Sequence, residues 1–225
     1  MSNGISSTSS GRSAKAAASV PSPALRSAAS NGLSPLGAQS EIIDYDDKIE
    51  WVKNNTNVSD AAEAVYAVTT FTDSEFHAIR DAQRNGERGT QAAKDGETLE
   101  DYIKNAPQWD NSRDLHRGMS LSTTQVQSIL KGIKNGEPFD INYGGTASWS
   151  GLYTVSEKFA RDGIDKTPVI FRTKKMSNAS PVMHLSTFYS EMEVLSSKDN
   201  NFRPIKATKK KINGVDGYVI DVIQI

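Results

Sequence analysis

The sequence predicts an α+β fold, because helical spacing dominates its first half and strand-like runs dominate its second. Between 60 and 134, apolar residues recur at helical intervals behind cap-type side chains; from 168 onward, short β-favouring runs alternate with turn residues. No internal repeat interrupts this order. Ahead of both halves lies a segment of different composition, 1–40. It is rich in serine, alanine, glycine and proline, has no acidic residue, and carries Arg12, Lys15 and Arg26. Its few large apolar side chains are too little to offset the entropy of ordering, so disorder is expected there. The organisation expected is thus a disordered Ser/Ala-rich tail over 1–40 and one folded domain over 41–225. A domain of about 180 residues buries roughly 70% of its unfolded surface, enough for a core.

The elements follow in chain order. A helix is expected over 60–69 with Ser59 as its cap, and a second over 73–84. Thr72 and Glu75 have the spacing of a capping box, and Phe71 with Phe76 that of a hydrophobic staple, so both phenylalanines read as structural. The polar, glycine-containing stretch 85–97 reads as a loop, and 98–105 as a short helix before a strand leading to Arg117. Val126, Ile129, Leu130 and Ile133 line one face of a helix over 123–134, which Gly136 and Pro138 end. Gly144 and Gly145 permit an irregular backbone before Ser148-Trp149-Ser150. Thr154 with Glu157 fits another capping box, for a helix over 155–162 with Gly163 as its stop. Strands are expected over 168–173, 182–185, 192–195, 202–207 and 218–225. Asn213-Gly214 and Asp216-Gly217 mark the closing turn.

Bulk properties narrow the function. The net charge is −1, which recommends neither nucleic acid nor membrane as a partner, and Lys209-Lys210-Lys211 reads as a solvated hairpin face. Cysteine is absent, so no disulfide or thiolate site forms; His77, His116 and His184 show no ligand spacing, so no metal is expected. No Walker loop, G-x-S-x-G or dinucleotide fingerprint occurs in a suitable context. No apolar run approaches the roughly 18 residues of a membrane span. The start of the chain has no apolar h-region, which argues against a classical signal peptide.

Chemistry concentrates at Glu191 and Glu193, in Ser190-Glu191-Met192-Glu193-Val194-Leu195. On a strand they would share a face, roughly 7 Å apart at about 3.4 Å per residue. Cleaving an N-glycosidic bond develops positive charge on the sugar. One carboxylate stabilises that charge, and a second can orient a nucleophile and take its proton. Arg117, in His116-Arg117-Gly118, offers a planar fork for a phosphate or carboxylate, and Gly118 permits close backbone approach. Ser148 and Ser150 share a face if extended, and their hydroxyls could bond to Glu193. Each motif alone has an ordinary surface explanation; their order and wide spacing carry the reading.

The combination resembles the arginine–serine–glutamate class of mono-ADP-ribosyltransferases, found among bacterial exotoxins, secreted effectors and phage-encoded enzymes. The resemblance spans about 58–225 and includes Asn201-Phe202-Arg203-Pro204-Ile205 and Gly217-Tyr218-Val219-Ile220-Asp221-Val222. It implies two packed, mainly antiparallel sheets around an NAD cleft with helices before them. NAD is then the co-substrate, without a metal. Arg117 matches the arginine that contacts an NAD phosphate, Gly118 the backbone that holds the nicotinamide amide, and Ser148 the serine that positions Glu193. Glu193 matches the catalytic glutamate. Glu191 matches the acceptor-side residue, glutamate there being typical of enzymes that modify arginine. Phe159 falls at the spacing of an aromatic that packs on nicotinamide, though a helix there needs a core phenylalanine anyway. Arg161 could reach a phosphate. Phe188 and Tyr189, in the turn 187–190, match the substrate-recognition turn.

Two departures stand out. Trp149 replaces the commoner threonine, and Phe71, Phe76 and Arg80 replace an aromatic–aromatic–asparagine series. The function implied is transfer of ADP-ribose from NAD to an arginine of a target protein, as a toxin-like effector secreted and delivered into a host cell, with 1–40 then a secretion leader rather than a plain tail. A phage-encoded enzyme acting in the bacterial cytoplasm is the alternative location. The rival functions are an NAD glycohydrolase without a protein acceptor and a non-catalytic binding or virion protein of the same fold.

Overall fold

The computed structural model describes residues 41–225 apart from 74, 162 and 164, so the expected tail over 1–40 lies outside the described residues. Among the described residues, six α-helices and seven strands follow in chain order. The first helix, α1 (Tyr45–Asn55), was not anticipated; the Asp44 carboxylate caps it by accepting from the N–H groups of Asp46 and Asp47. In α2 (Ala61–Asp73), Asp60 rather than Ser59 does the capping, accepting from Ala62 and Glu63.

That helix runs on through Thr72, whose hydroxyl donates back to the Thr69 carbonyl, so no capping box forms there. Helix α3 (Phe76–Asn85) starts at Glu75 without a side-chain cap. The expected loop 85–97 is half helix. Thr90 caps α4 (Gln91–Asn105), which absorbs the short helix placed at 98–105. Helix α5 (Thr123–Asn135) lies where its periodicity put it. A Ser122–Gln125 capping box starts it, and Gly136 at φ 71° ends it. Helix α6 (Tyr153–Phe159) also lacks its expected capping box, because Thr154 is already inside the helix, and it stops at Ala160, short of Gly163.

The strands are β1 (Leu115–Ser122), β2 (Ala147–Ser150), β3 (Lys166–Thr173), β4 (Ala179–Pro181), β5 (Glu193–Ser196), β6 (Phe202–Ile212) and β7 (Val215–Gln224). They hydrogen-bond in the order β4-β5-β2-β1-β3-β7-β6, antiparallel except for the β3–β7 pair. The expected two sheets are two halves of this network, β4-β5-β2 and β1-β3-β7-β6. They meet through one residue pair, His116 with Ser150.

The apolar run 182–185, read as a strand, is a turn. Val182 accepts at its carbonyl from the N–H groups of Leu185 and Ser186. All four side chains are buried, and burial alone does not separate a strand from a packed turn. The β6–β7 hairpin turns at Asn213 and Gly214, both at positive φ, and Asp216-Gly217 lies inside β7.

Two cores support this sheet. One lies between α5 and the sheet and includes Trp109, Leu115, Ile129, Trp149, Phe171 and Phe202. Trp149 is therefore structural, its ring 5.3 Å from that of Phe202. The other joins α1, α2, α3 and α4 to Val182, Leu185 and Leu195. Among the described residues, no helix is long and apolar enough to cross a membrane.

Candidate active site

Where β1 parts from β2 beyond the His116–Ser150 pair, a cleft of about 490 Å³ opens. Its walls come from α2, α3, β1, β2, α6 and the turn before β5. It gathers Arg117, Gly118, Ser148, Glu191, Glu193, Phe159 and Phe188 from positions far apart in the chain. Its volume falls in the range of roughly 300–1,000 Å³ usual for small-molecule sites.

Arg117 is buried and donates through Nη1 to the Ser148 carbonyl at 2.7 Å, which ties β1 to β2 across the split. Its Nε has no partner, and neither does that of Arg80, whose Nη2 donates to the Asn142 carbonyl at 2.8 Å. Burial, then repulsion from Arg80, pushes the Arg117 pKa down to about 9. Burial, then repulsion from Arg84, pushes that of Arg80 down to about 10. A guanidinium keeps its proton under such pressure, so the site instead holds positive charge in want of an anion.

Gly118 lines the cleft, but its missing Cβ serves packing. An added Cβ would stand 1.8 Å from the Ser156 carbonyl oxygen of α6. Glycine thus lets α6 lie directly on β1 and brings Phe159 to the cleft rim. Phe159 is 56% exposed, not the core residue that a helix there was expected to need. Arg161 is absent from the cleft walls; its Nε donates to the Lys158 carbonyl, which draws it back to the end of α6.

Glu193 opens β5 and is 7% exposed. Burial is the main cause that raises its pKa to about 7. The Ser148 hydroxyl opposes this, Glu191 adds to it, and Ser186 and Arg117 oppose it. Glu191 does not share a strand face with Glu193. It ends a 3-10 turn, Tyr189–Glu191, and Met192 at φ 49° and ψ 50° breaks the extended run. Both carboxyls still reach the cleft, one from the turn and one from the strand.

Of the two serines, Ser148 bears on Glu193 through the hydroxyl that holds its pKa down, whereas Ser150 closes the turns around it. Ser150 donates to the Glu191 carbonyl at 2.6 Å and accepts from the Leu152 N–H at 2.9 Å. In the recognition turn, Phe188 is 45% exposed at the cleft, while Tyr189 packs partly against the sheet core. Sequence reasoning missed Ser186 altogether, since a serine in a buried turn has no signal until its hydroxyl is seen 3.3 Å from Glu193.

By sequence, neither a protein-family model nor a curated protein matches the chain. By structure, it is similar to the Vis toxin, an ADP-ribosyltransferase from Vibrio splendidus, with TM-score 0.61 at 19% identity, covering 83% of this chain and 87% of that one. It is also similar to the ADP-ribosyltransferase HopU1 of Pseudomonas syringae, with TM-score 0.58 at 10% identity, covering 83% and 89%. The ADP-ribosyltransferase toxin Plx2a from Paenibacillus larvae aligns with TM-score 0.57 at 16% identity, over 81% and 97%. On this likeness over most of its length, the chain has the mono-ADP-ribosyltransferase fold.

Proposed function

We propose that this protein is an NAD-dependent mono-ADP-ribosyltransferase that modifies an arginine of a target protein. One observation carries the reading: a buried carboxyl, Glu193, and a buried guanidinium with a free Nε, Arg117, face the same cleft. The positive charge of Arg117 and Arg80, which both line the cleft, suits a dinucleotide's diphosphate, and exposed Phe159 offers a face to a flat ring.

With NAD as substrate, the bond to break joins ribose C1′ to the nicotinamide nitrogen, whose electron pair leaves with nicotinamide. Glu193 then stabilises the positive charge that develops on the sugar. Ser186 donates to that carboxylate, and the nearby Ser148 hydroxyl favours its ionised form. Glu191, carried on the turn, orients the acceptor nitrogen and takes the proton it loses on bonding to C1′. Phe188, exposed beside Glu191, meets the target protein. Support for an arginine acceptor comes from Glu191 itself and from a solved structure of Vis in complex with agmatine, which bears a guanidinium. Support for NAD comes from exoenzyme S of Pseudomonas aeruginosa, solved bound to carba-NAD. A role as a secreted effector rests on the same likeness and on the acid-free, serine-rich segment 1–40.

The test incubates the protein with labelled NAD and a cell lysate, following nicotinamide release and label on protein together. Label located on arginine by mass spectrometry is the expected result. Release without protein label indicates a glycohydrolase, and neither signal overturns the catalytic reading.

A further inference from the structure

Ser186 lies in the buried turn 182–186, seven residues before Glu193 and outside the arginine, serine and glutamate motifs. Its hydroxyl oxygen accepts from the Phe188 N–H at 3.0 Å and stands 3.3 Å from Glu193 Oε2. A hydroxyl has one proton, and an amide N–H can only donate. Phe188 therefore takes an acceptor position on Ser186, and the Ser186 proton is left for the carboxylate. One side chain thus joins the carboxyl that faces the sugar to the turn that carries Phe188.

Helix α1 holds this segment in place. The Lys48 ammonium is buried and donates to the Leu185 carbonyl at 2.8 Å, and the Trp51 ring lies 3.7 Å from that of His184. Ser186 is fixed on its N-terminal side by contacts that have no part in the cleft walls.

We infer that Ser186 is a positioning residue, which holds the rotamer of Glu193 and links it to the turn bearing Phe188. This rests on the reading of Glu193 as the charge-stabilising group. The 3.3 Å separation is long for a hydroxyl–carboxylate bond, and an ionised carboxylate is the stronger acceptor for that proton. The charged groups acting on Glu193 are Glu191 on the turn and Arg117 on β1, with Ser148 on β2 as the other hydroxyl.

The experiment compares Ser186→Ala, Ser186→Thr and Ser186→Cys with the unmodified full chain. Nicotinamide release with water as acceptor gives kcat and KM. Carbon-13 NMR of labelled glutamate, assigned through Glu193→Gln, gives the titration of Glu193. Ser186→Ala is expected to lower kcat about tenfold, the size of a lost hydrogen bond to a charged group, with KM for NAD within about twofold. Glu193 should titrate at higher pH in that variant, and Ser186→Thr should restore both. Ser186→Cys keeps the volume with a weak donor, and carries the comparison if the alanine variant does not fold.

Unchanged kcat and an unchanged Glu193 titration would overturn the inference. A loss of thermal stability and NAD affinity that threonine does not rescue, with Glu193 titrating normally, would also overturn it in favour of a purely architectural serine. If the unmodified protein released no nicotinamide, the proposed activity would fail, while the titration would still decide whether Ser186 holds Glu193.

Discussion

Glu193 is shielded from water in the wall of the cleft. Its pKa, raised to about 7 chiefly by burial, means that the folded protein binds this proton more tightly than the unfolded chain does. For a carboxyl raised in this way, the stability contribution is complete below the ordinary value near 4.5 and is lost as pH rises through about 7. The full penalty is on the order of 3 kcal/mol. Glu193→Gln removes it. That variant should melt several degrees higher than the unmodified protein at pH 8 and at nearly the same temperature at pH 4, by calorimetry. It should also lose about 10²–10³-fold in nicotinamide release, because a neutral amide does not stabilise the developing charge. The same ionisation governs the pH profile: kcat/KM for NAD should rise with pH through about 7 and then level off, since it reports the free enzyme. A profile falling over that range would mean that the protonated acid is the working form. Arg117 offers the complementary case. Arg117→Lys keeps a charge but loses the fork, and titration calorimetry should show NAD binding weakened about tenfold or more. Equal affinity would remove Arg117 from the phosphate contact.

Helix α6 on β1 depends on one missing methyl group. Gly118→Ala would place a Cβ 1.8 Å from the Ser156 carbonyl, a backbone atom that cannot rotate aside. The variant should lose at least about 1–3 kcal/mol, seen as a lower melting temperature, and should bind NAD more weakly because α6 carries Phe159. A fully stable Gly118→Ala variant would show that α6 shifts freely on the sheet.

Some elements were legible in the sequence because their signals are local. Helix α5 has four apolar residues on one face and a glycine after it, and the Asn213-Gly214 turn states its backbone conformation outright. Caps were read less well, since several side chains of the right type compete for each helix start. Asp60 displaced Ser59, and Thr72 and Thr154 lie inside helices rather than before them. The site followed the same division. The sequence singled out Arg117, Ser148 and Glu193, which converge on one cleft, whereas the strand face expected to hold Glu191 beside Glu193 does not form, because Met192 leaves the extended region. Ser186 acts only through tertiary placement, so no spacing could have revealed it.

Across the whole molecule, the two halves of the sheet meet through one residue pair and through the Arg117 bond to Ser148, and the cleft lies at that seam. A ligand there touches both halves, with Arg117 and Gly118 on one side and Ser148 and Glu193 on the other. Binding should therefore tighten the seam in preference to the remote hairpin. At a hundredfold excess over Kd, NAD should stabilise the protein by about 2.7 kcal/mol, or roughly 5–10 °C for a domain of this size. Hydrogen exchange should locate that gain. Protection should rise in β1, in β2 and in the segment from Ser186 to Glu193, while the β6–β7 hairpin beyond Lys209, which forms no cleft wall, should exchange at its former rate. Arg117→Lys should reduce the shift and the protection together. Protection spread evenly over the sheet, or a thermal shift that survives Arg117→Lys unchanged, would mean that NAD binds elsewhere and that the seam is only a joint in the fold.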